Sequence, residues 1–583
     1  MPLINPFKRQ ERSNFPGVVV PLAPSSPERS PSPAQAFSTD PEKKPNPDEK
    51  SDGRSLDRSE NGVGPVPVGG PLTIDALRAE VESDISASGH NSTYDRKAKV
   101  INRAISDIGM GRYQWELFAL CGCGWLADNL WLQGIALTLT QLSAEFGVSE
   151  TRVRFSTCAL FLGLCLGASF WGIASDVIGR RPAFNLTLLI SGAFGLAAGG
   201  GPNWVGTSAL YACLGLGVGG NLPVDGALFL EFLPFASGNL LTMLSVWWPI
   251  GNLIASVVAW GLVPNYSCAS DLKACSLVAP GEACCRKEDN MGWRYLVLTL
   301  GAITFVMFLG RFFLFHLYES PKFLLSRGRQ NEAVAAVQGI AYRNKKTTWL
   351  TVDVLNEIGG HQEEVASPKL SYAEILKRTI SKFSFQRIAP LFATKRLGLC
   401  TILIWFCWVT IGMAYPLFNA FLPQYFSASS STYITYRNYA ITSIVGVPGS
   451  ILACYTVEIK YIGRKGTMAI STMITGVILF CFTAAPDSNI QLVCSCLEAF
   501  FQNISYGVLY AYTPEVFPAP VRGTGNGIAS CLNRIAGLCA PIVAIYASGA
   551  DPKVPIYVSG ALMLAAFVAM CFFPIETRGK QTL

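Results

Sequence analysis

Asp128 stands inside an apolar run from Gln114 to Leu139, QWELFALCGCGWLADNLWLQGIALTL, that is long enough to span a bilayer. At about 1.5 Å of rise per residue it falls roughly 20 Å in from Gln114, past the middle of a hydrocarbon layer about 30 Å thick. An aspartate at such a depth costs about 2.5 kcal/mol or more, so it is expected to face a protein interior or a water-filled cavity and to have a task there. A carboxyl that exchanges a proton suits that place, and proton coupling is the leading expectation. The plainer alternative is an aspartate that bonds backbone or hydroxyl groups on a neighbouring span.

Other polar residues in apolar surroundings extend the set. Asp225, in YACLGLGVGGNLPVDGALFLEF, is a second proton-coupling candidate. Arg534, in SCLNRIAGLCAP, lies roughly 16 Å along its helix from Gly523, where its charge demands a carboxylate, a set of carbonyls or a ligand. A guanidinium suits a carboxylate because it donates two parallel hydrogen bonds. Glu498 is a further buried acid, with Gln502 and Asn503 one turn on. Trp131, Gln133, Trp408 and Asn419 add aromatic and amide groups that suit an amphipathic solute, giving an expected solute set of Arg534, Trp131, Gln133, Glu498, Gln502, Asn503, Trp408 and Asn419. Glu116, near the start of the first span, is expected to pair with arginines such as Arg112. Three histidines, none paired at ligand spacing, argue against a metal site, and no Gly-Lys-Ser/Thr phosphate loop is present. No cofactor is expected, uphill movement would draw on an ion gradient, and the chain does not read as an enzyme.

The elements that must position these residues follow from hydropathy. Of 583 residues 50% are hydrophobic and 15% charged, and the mean hydropathy is +0.34, which makes the chain an integral membrane protein. Its net charge of +7 sits mostly in segments that would face the cytoplasm, which sets topology and gives no reason to expect nucleic acid. Residues 1–95, rich in Pro, Ser and charge, read as a disordered cytoplasmic tail without a signal-peptide pattern. Residues 96–317 hold six apolar segments, 318–395 form a cytoplasmic linker with short helices, 396–574 hold six more, and 575–583 are a cytoplasmic tail. An even count leaves both termini inside. The loop 264–293 is then outside, where Cys268, Cys275, Cys284 and Cys285 can form disulfides in any of three full pairings. Its sequon at Asn265 hugs the membrane.

Three signatures in the first half return at matching places in the second. Gly172-Ile-Ala-Ser-Asp176-Val-Ile-Gly179-Arg180-Arg181 is answered by Lys460-Tyr-Ile-Gly463-Arg464-Lys465, Glu231-Phe-Leu-Pro234 by Pro514-Glu515-Val-Phe-Pro518-Ala-Pro-Val-Arg522, and Glu319-Ser320-Pro321 by Pro574-Ile-Glu576-Thr-Arg578. Parallel repeats of this kind build a transporter whose site lies between the halves. These residues resemble the major facilitator superfamily, specifically its sugar-porter branch and its organic-ion and synaptic-vesicle-related branches, over the chain from about residue 110. The resemblance implies an all-α membrane fold of twelve transmembrane helices in two six-helix halves. It also implies a gating set of Asp176, Arg180, Arg181, Glu231, Glu319, Arg464, Glu515, Arg522 and Glu576, and a proton-coupling role for Asp128. In similar organic-ion transporters that carry anions, an arginine at the place of Arg534 meets the substrate's charge. The expected function is proton-coupled symport of an organic carboxylate by a monomer, most simply in the plasma membrane. A sugar or polyol carrier and a non-transporting nutrient receptor are the alternatives.

Overall fold

The computed structural model describes residues 15–22, 73–88, 93–234, 239–269, 272–279, 282–360, 388–427, 431–517, 522–547, 551 and 553–577. The Asp176 side chain, the Ser-Pro clusters near residue 30 and the last six residues lie outside the described residues. Among the described residues the chain is helical throughout, with isolated bridges and no sheet.

Two helices precede the membrane region, α1 (Ile74–Ser88) and α2 (Thr93–Ile108). The first six spans are α3 (Arg112–Phe146), α4 (Phe155–Ile178), α5 (Arg180–Ala198), α6 (Trp204–Phe232), α7 (Trp247–Leu262) and α8 (Gly292–Leu309). Span five also includes a short helix, Asn239–Leu244, set off from α7 by a turn at Ser245 and Val246. Between the halves lie α9 (Pro321–Ser326), α10 (Gln330–Arg343) and α11 (Val352–Gly359). The second six are α12 (Lys395–Asn419), α13 (Thr432–Thr456), α14 (Gly463–Ala484), α15 (Ser488–Val516), α16 (Arg522–Ala547) and α17 (Val554–Cys571). The twelve helices expected from the apolar runs are therefore all present.

Within the first half α4 packs on α6, α3 on α7 and α5 on α8; within the second α12 packs on α16, α13 on α15 and α14 on α17. The halves meet where α7 lies on α13 and α4 on α16. The α4–α6 seam depends on small residues at four-residue spacing, Gly163 and Gly167 on one helix and Gly215 and Gly219 on the other, which let the backbones touch. A Cβ at Gly219 would lie 2.3 Å from the Leu164 carbonyl oxygen. Gly219→Val should accordingly lose about 1–3 kcal/mol through overpacking, seen as a lower melting temperature of the purified protein in detergent; an unchanged melting curve would show that this seam can widen freely.

The reading of residues 1–95 as a disordered tail is corrected in part. α1 buries Leu77 and Val81, and Val18 is buried beside a bridge in which Val20 N–H donates to Thr348 O at 3.0 Å and Thr348 N–H to Val18 O at 2.8 Å. The boundary at 96 also moves. α2 begins at Thr93 and is a cap helix, not a span, burying Val100, Ile101, Ala104, Ile105 and Ile108. That apolar stripe needs a cover, and short apolar pieces of the tail supply it together with α9 and α11; composition averaged over 95 residues conceals them. Lys97 is buried in this cap, where Nζ donates to Gln330 Oε1 at 2.9 Å and Asn356 Oδ1 at 2.8 Å, and burial lowers its pKa from the ordinary lysine value. Glu116 accepts from Arg112 at 2.7 Å and from Arg343 at 2.6 Å, fastening the cap to α3.

On the opposite face the loop cysteines pair as Cys268–Cys285 and Cys275–Cys284, selecting one of the three pairings. Asn265 Nδ2 donates to Gly261 O at 2.9 Å, which draws the sequon amide back onto the end of α7.

Candidate functional site

A cavity lies between the two halves, lined from the first by Asp128, Asn129, Gln133, Phe161, Trp248 and Asn252 and from the second by Tyr415, Asn419, Tyr439, Gln502, Asn503, Tyr506, Tyr510, Asn533 and Arg534, among others. Small residues make room for it. Gly412 of α12 faces Asn533, and Gly446 of α13 faces Asn503.

Asp128 and Arg534 face each other in this space. Arg534 Nη2 stands 3.9 Å from Asp128 Oδ1, and each residue is only 5% exposed. At that separation the charges attract without a hydrogen bond, and neither Asp128 Oδ1 nor Arg534 Nη2 has a hydrogen-bond partner. Buried polar atoms are ordinarily satisfied. A pair held slightly apart, with free donor and acceptor capacity turned into a cavity, can take up a proton on the carboxyl and an anion on the guanidinium.

On the side nearer the linker helices, aromatic rings form the floor. Trp248 stacks on Trp125 at 4.5 Å and meets Tyr510 at 4.6 Å and Tyr506 at 5.3 Å edge-on. On the side nearer the disulfide loop the roof is polar. Tyr439 Oη donates to Asn419 O at 2.8 Å and lies 3.2 Å from Gln133 Oε1; Asn419 Nδ2 donates to Gln502 Oε1 at 2.9 Å and Glu498 Oε1 at 3.1 Å. Farther out, Tyr436 Oη donates to Leu137 O at 2.7 Å, and Arg154 reaches across to Gln424 Oε1 at 2.9 Å and Ala544 O at 3.0 Å. Contacts between the halves thus stand on both sides of the cavity.

Several expected site residues lie elsewhere. Asp225 is not at the cavity; its carboxylate binds Arg311 at 2.6 Å with both side chains fully buried inside the first half. Arg311 completes its shell by donating to Leu120 O and Phe184 O, so Asp225 serves an internal ion pair. Trp131 donates to Thr304 at 3.0 Å and fills the space left by Gly195, while Trp408 donates to Thr513 at 2.9 Å; both are packing residues behind the lining. Glu498 stands one layer back, behind Asn419 and Gln502. Gln133, Asn419, Gln502, Asn503 and Arg534 are at the cavity with Asp128. Sequence reasoning did not single out Asn129, Asn252, Asn533, Tyr439, Tyr506 or Tyr510, because amide and phenol groups on a span carry no sign of which face they occupy.

The residues expected to gate form two matching networks on the linker face. In the first half Arg180 meets Glu231 at 3.4 Å, while Glu319 accepts from the backbone N–H of Arg180 at 2.9 Å and of Arg181 at 3.4 Å. In the second half Arg464 meets Glu515 at 2.7 Å, and Glu576 accepts from the N–H groups of Arg464 and Lys465. Glu319 and Glu576 thereby sit at the N-termini of α5 and α14, where an anion is favoured. Burial pushes the Glu319 carboxyl up from its ordinary value, opposed by the backbone N–H groups of Ser320, Arg180 and Arg181. Arg522 donates to Phe517 O at 3.3 Å. Each of these described pairs ties elements of one half together.

Comparison with known proteins agrees with this architecture. The family model described as "Sugar (and other) transporter" matches residues 87–582. The chain is 45% identical over 522 residues to a protein of Ceriporiopsis subvermispora named MFS siderochrome iron transporter 1, covering 87% of this chain and 97% of that one. It is 40% identical to the major facilitator-type transporter hxnZ of Emericella nidulans, covering 91% and 96%. Among solved structures, the proton:xylose symporter XylE bound to 6-bromo-6-deoxy-D-glucose superposes with a TM-score of 0.59 at 17% identity, covering 81% of this chain and 98% of that one. With the family model spanning nearly all of both halves and the twelve helices arranged as in a solved member, this chain belongs to the major facilitator superfamily, among its sugar and other transporters.

Proposed function

We propose that the protein carries a small organic carboxylate together with a proton by alternating access, with Asp128 as the proton carrier and Arg534 as the group that meets the carboxylate. The observation that carries this reading is the Asp128–Arg534 pair, 3.9 Å apart, buried, and with hydrogen-bond capacity left over on both sides.

The two binding events support each other electrically. With Asp128 ionised the pair is neutral and Arg534 is partly engaged. A proton on Asp128 releases the guanidinium, which then receives a carboxylate through two parallel hydrogen bonds. The cavity's net charge is the same before and after both ligands bind, so neither crosses the low-dielectric region as an uncompensated charge. Trp248, Tyr506 and Tyr510 offer apolar faces to the rest of the solute, and Asn252, Asn503 and Asn533 offer hydrogen bonds. Rocking of one half on the other would exchange the polar roof for the aromatic floor as the barrier. The positive-inside bias of the loops supports placing both termini and the linker helices in the cytoplasm, and the plasma membrane and a monomer are the simplest setting.

The second reading is a neutral sugar or polyol, favoured by the many carboxamides of the lining, since amides pair well with hydroxyl groups. Uptake of a labelled panel of organic acids and sugars into proteoliposomes, with and without an inward proton gradient, separates the two. Gradient-dependent accumulation of an acid supports the carboxylate reading. Accumulation of a sugar with no acid transported overturns it, and no flux for any solute would favour a receptor.

A further inference from the structure

Glu498 is 1% exposed and lies on α15 one layer behind the cavity, which its neighbours Ala499 and Gln502 line. Oε1 accepts one amide hydrogen, from Asn419 Nδ2 at 3.1 Å, and Oε2 has no partner. Among the described residues no lysine or arginine comes within ion-pair distance of it. The titratable groups that interact with it are Tyr415 of α12 and Tyr439 of α13. On α14 the titratable Cys481 interacts with Cys494 instead, and Arg534 of α16 faces Asp128. One amide hydrogen is too little to hold a full negative charge in a buried site. A proton on Oε2 supplies what is missing.

The single donor is itself informative. Asn419 is the last residue of α12, where the helix gives way to a turn at Ala420. Its Nδ2 is shared between Glu498 Oε1 and Gln502 Oε1, and its backbone oxygen accepts the Tyr439 hydroxyl, which also faces Gln133 Oε1 on α3. A line of polar contacts therefore runs from Glu498 through Asn419 to Tyr439, whose one hydroxyl hydrogen chooses between Asn419 O and Gln133 Oε1, from the second half to the first across the roof of the cavity.

We infer that Glu498 is a second proton-binding site, a positioning residue that does not touch the solute and that sets, through Asn419, how firmly Tyr439 ties the two halves together. Protonated, as its single donor implies here, Glu498 keeps only a neutral bond to the Asn419 amide, and the roof can part. Ionised, it draws that amide into a stronger, charge-assisted bond and holds the end of α12 more firmly. The inference rests on the proton-coupled reading above and adds a second proton per cycle, so that a monovalent anion enters with net positive charge.

The test is a pair of measurements on the full-length protein in proteoliposomes. The first is the infrared difference spectrum between acidic and basic pH, taken without solute. One component of the protonated-carboxyl carbonyl stretch should be present in wild type, missing from Glu498→Gln while the bands of Asp128 and the other carboxyls remain, retained in Glu498→Asp and shifted in frequency by Asn419→Ala. The second is carboxylate uptake, electrogenic in wild type and electroneutral in Glu498→Gln with KM unchanged. A Glu498→Gln spectrum identical to wild type overturns the inference, as does electroneutral uptake by wild type. A KM raised about tenfold or more in Glu498→Gln, a loss of about 1.4 kcal/mol in binding, would make Glu498 a solute ligand instead. Should Glu498→Gln not fold, the Asn419→Ala frequency shift decides the question with Glu498 in place. Because the spectra need no solute, they judge Glu498 separately from the carboxylate assignment, which fails on wild-type uptake alone.

Discussion

Arg534→Ala should weaken the apparent affinity for the carboxylate by roughly 30-fold or more, with transport at saturating solute falling as well. Truncating one partner of a buried, hydrogen-bonded charge pair costs about 2–5 kcal/mol, and each 1.4 kcal/mol is about tenfold in affinity. Two losses add here. The solute's carboxylate loses its bidentate donor, and Asp128 loses the cation that stands 3.9 Å from it. Arg534→Lys should recover only part of the affinity, because an ammonium restores the charge without the planar fork. Uptake kinetics over a range of solute concentrations, compared at equal amounts of reconstituted protein, give the answer. A KM in Arg534→Ala within about threefold of wild type, less than 1 kcal/mol, would remove the anion from the account and leave the hydroxyl-bearing solute favoured by the amide lining.

The second large effect concerns stability. Asp225→Asn or Arg311→Met should each cost about 3–5 kcal/mol, since breaking a buried ion pair leaves an uncompensated charge in a dry interior. Arg311 is held by Asp225 at 2.6 Å, by Leu120 O and Phe184 O, and by the Phe184 ring at 3.7 Å, all within the first half. The site is also tightly built: a Cβ at Gly124 would fall 1.7 Å from Asp225 Oδ2. Melting curves and surface expression should show both single variants impaired and the double variant Asp225→Asn with Arg311→Met partly restored, because removing both charges leaves nothing unpaired. Whatever single-variant protein folds should retain proton coupling. Normal stability of Asp225→Asn combined with loss of coupling would return Asp225 to the role its place in the fourth span first suggested.

How much of this was legible beforehand depends on what each residue announces. Membrane spans declare themselves by twenty-odd apolar residues, so the twelve helices and their two halves could be read directly, while the break in span five at Ser245 and Val246 could not. Asp128 and Arg534 were legible because a charge at membrane depth is expensive on any face. The same argument applies to Arg311, in FLGRFFLF, which was not singled out, and its pairing with Asp225 follows only from the packing of the turn after α8 against its neighbours. Aromatic residues carry no such marker. Trp131 and Trp408 differ from Trp248 only in the face of the helix they occupy, and apolar periodicity is weak on spans that are buried on one side and lipid-facing on the other. Arg154 was not singled out, because its role across the halves depends on Gln424 and Ala544, 270 and 390 residues away. In the tail, Val18, Leu77 and Val81 were hidden by the polar composition around them.

The central claim is that Asp128 carries the proton that drives the solute, and the most direct measurement is accumulation of the labelled carboxylate in proteoliposomes under an inward proton gradient, for wild type and Asp128→Asn. Each unit of pH difference offers about 1.4 kcal/mol per proton, or about tenfold accumulation. Wild type should accumulate the acid accordingly. Asp128→Asn should lose the roughly tenfold per pH unit that its own proton supplies, while still exchanging labelled for unlabelled solute across the membrane. If Asp128→Asn accumulates the acid as wild type does, Asp128 is not the coupling site and the account fails at its centre.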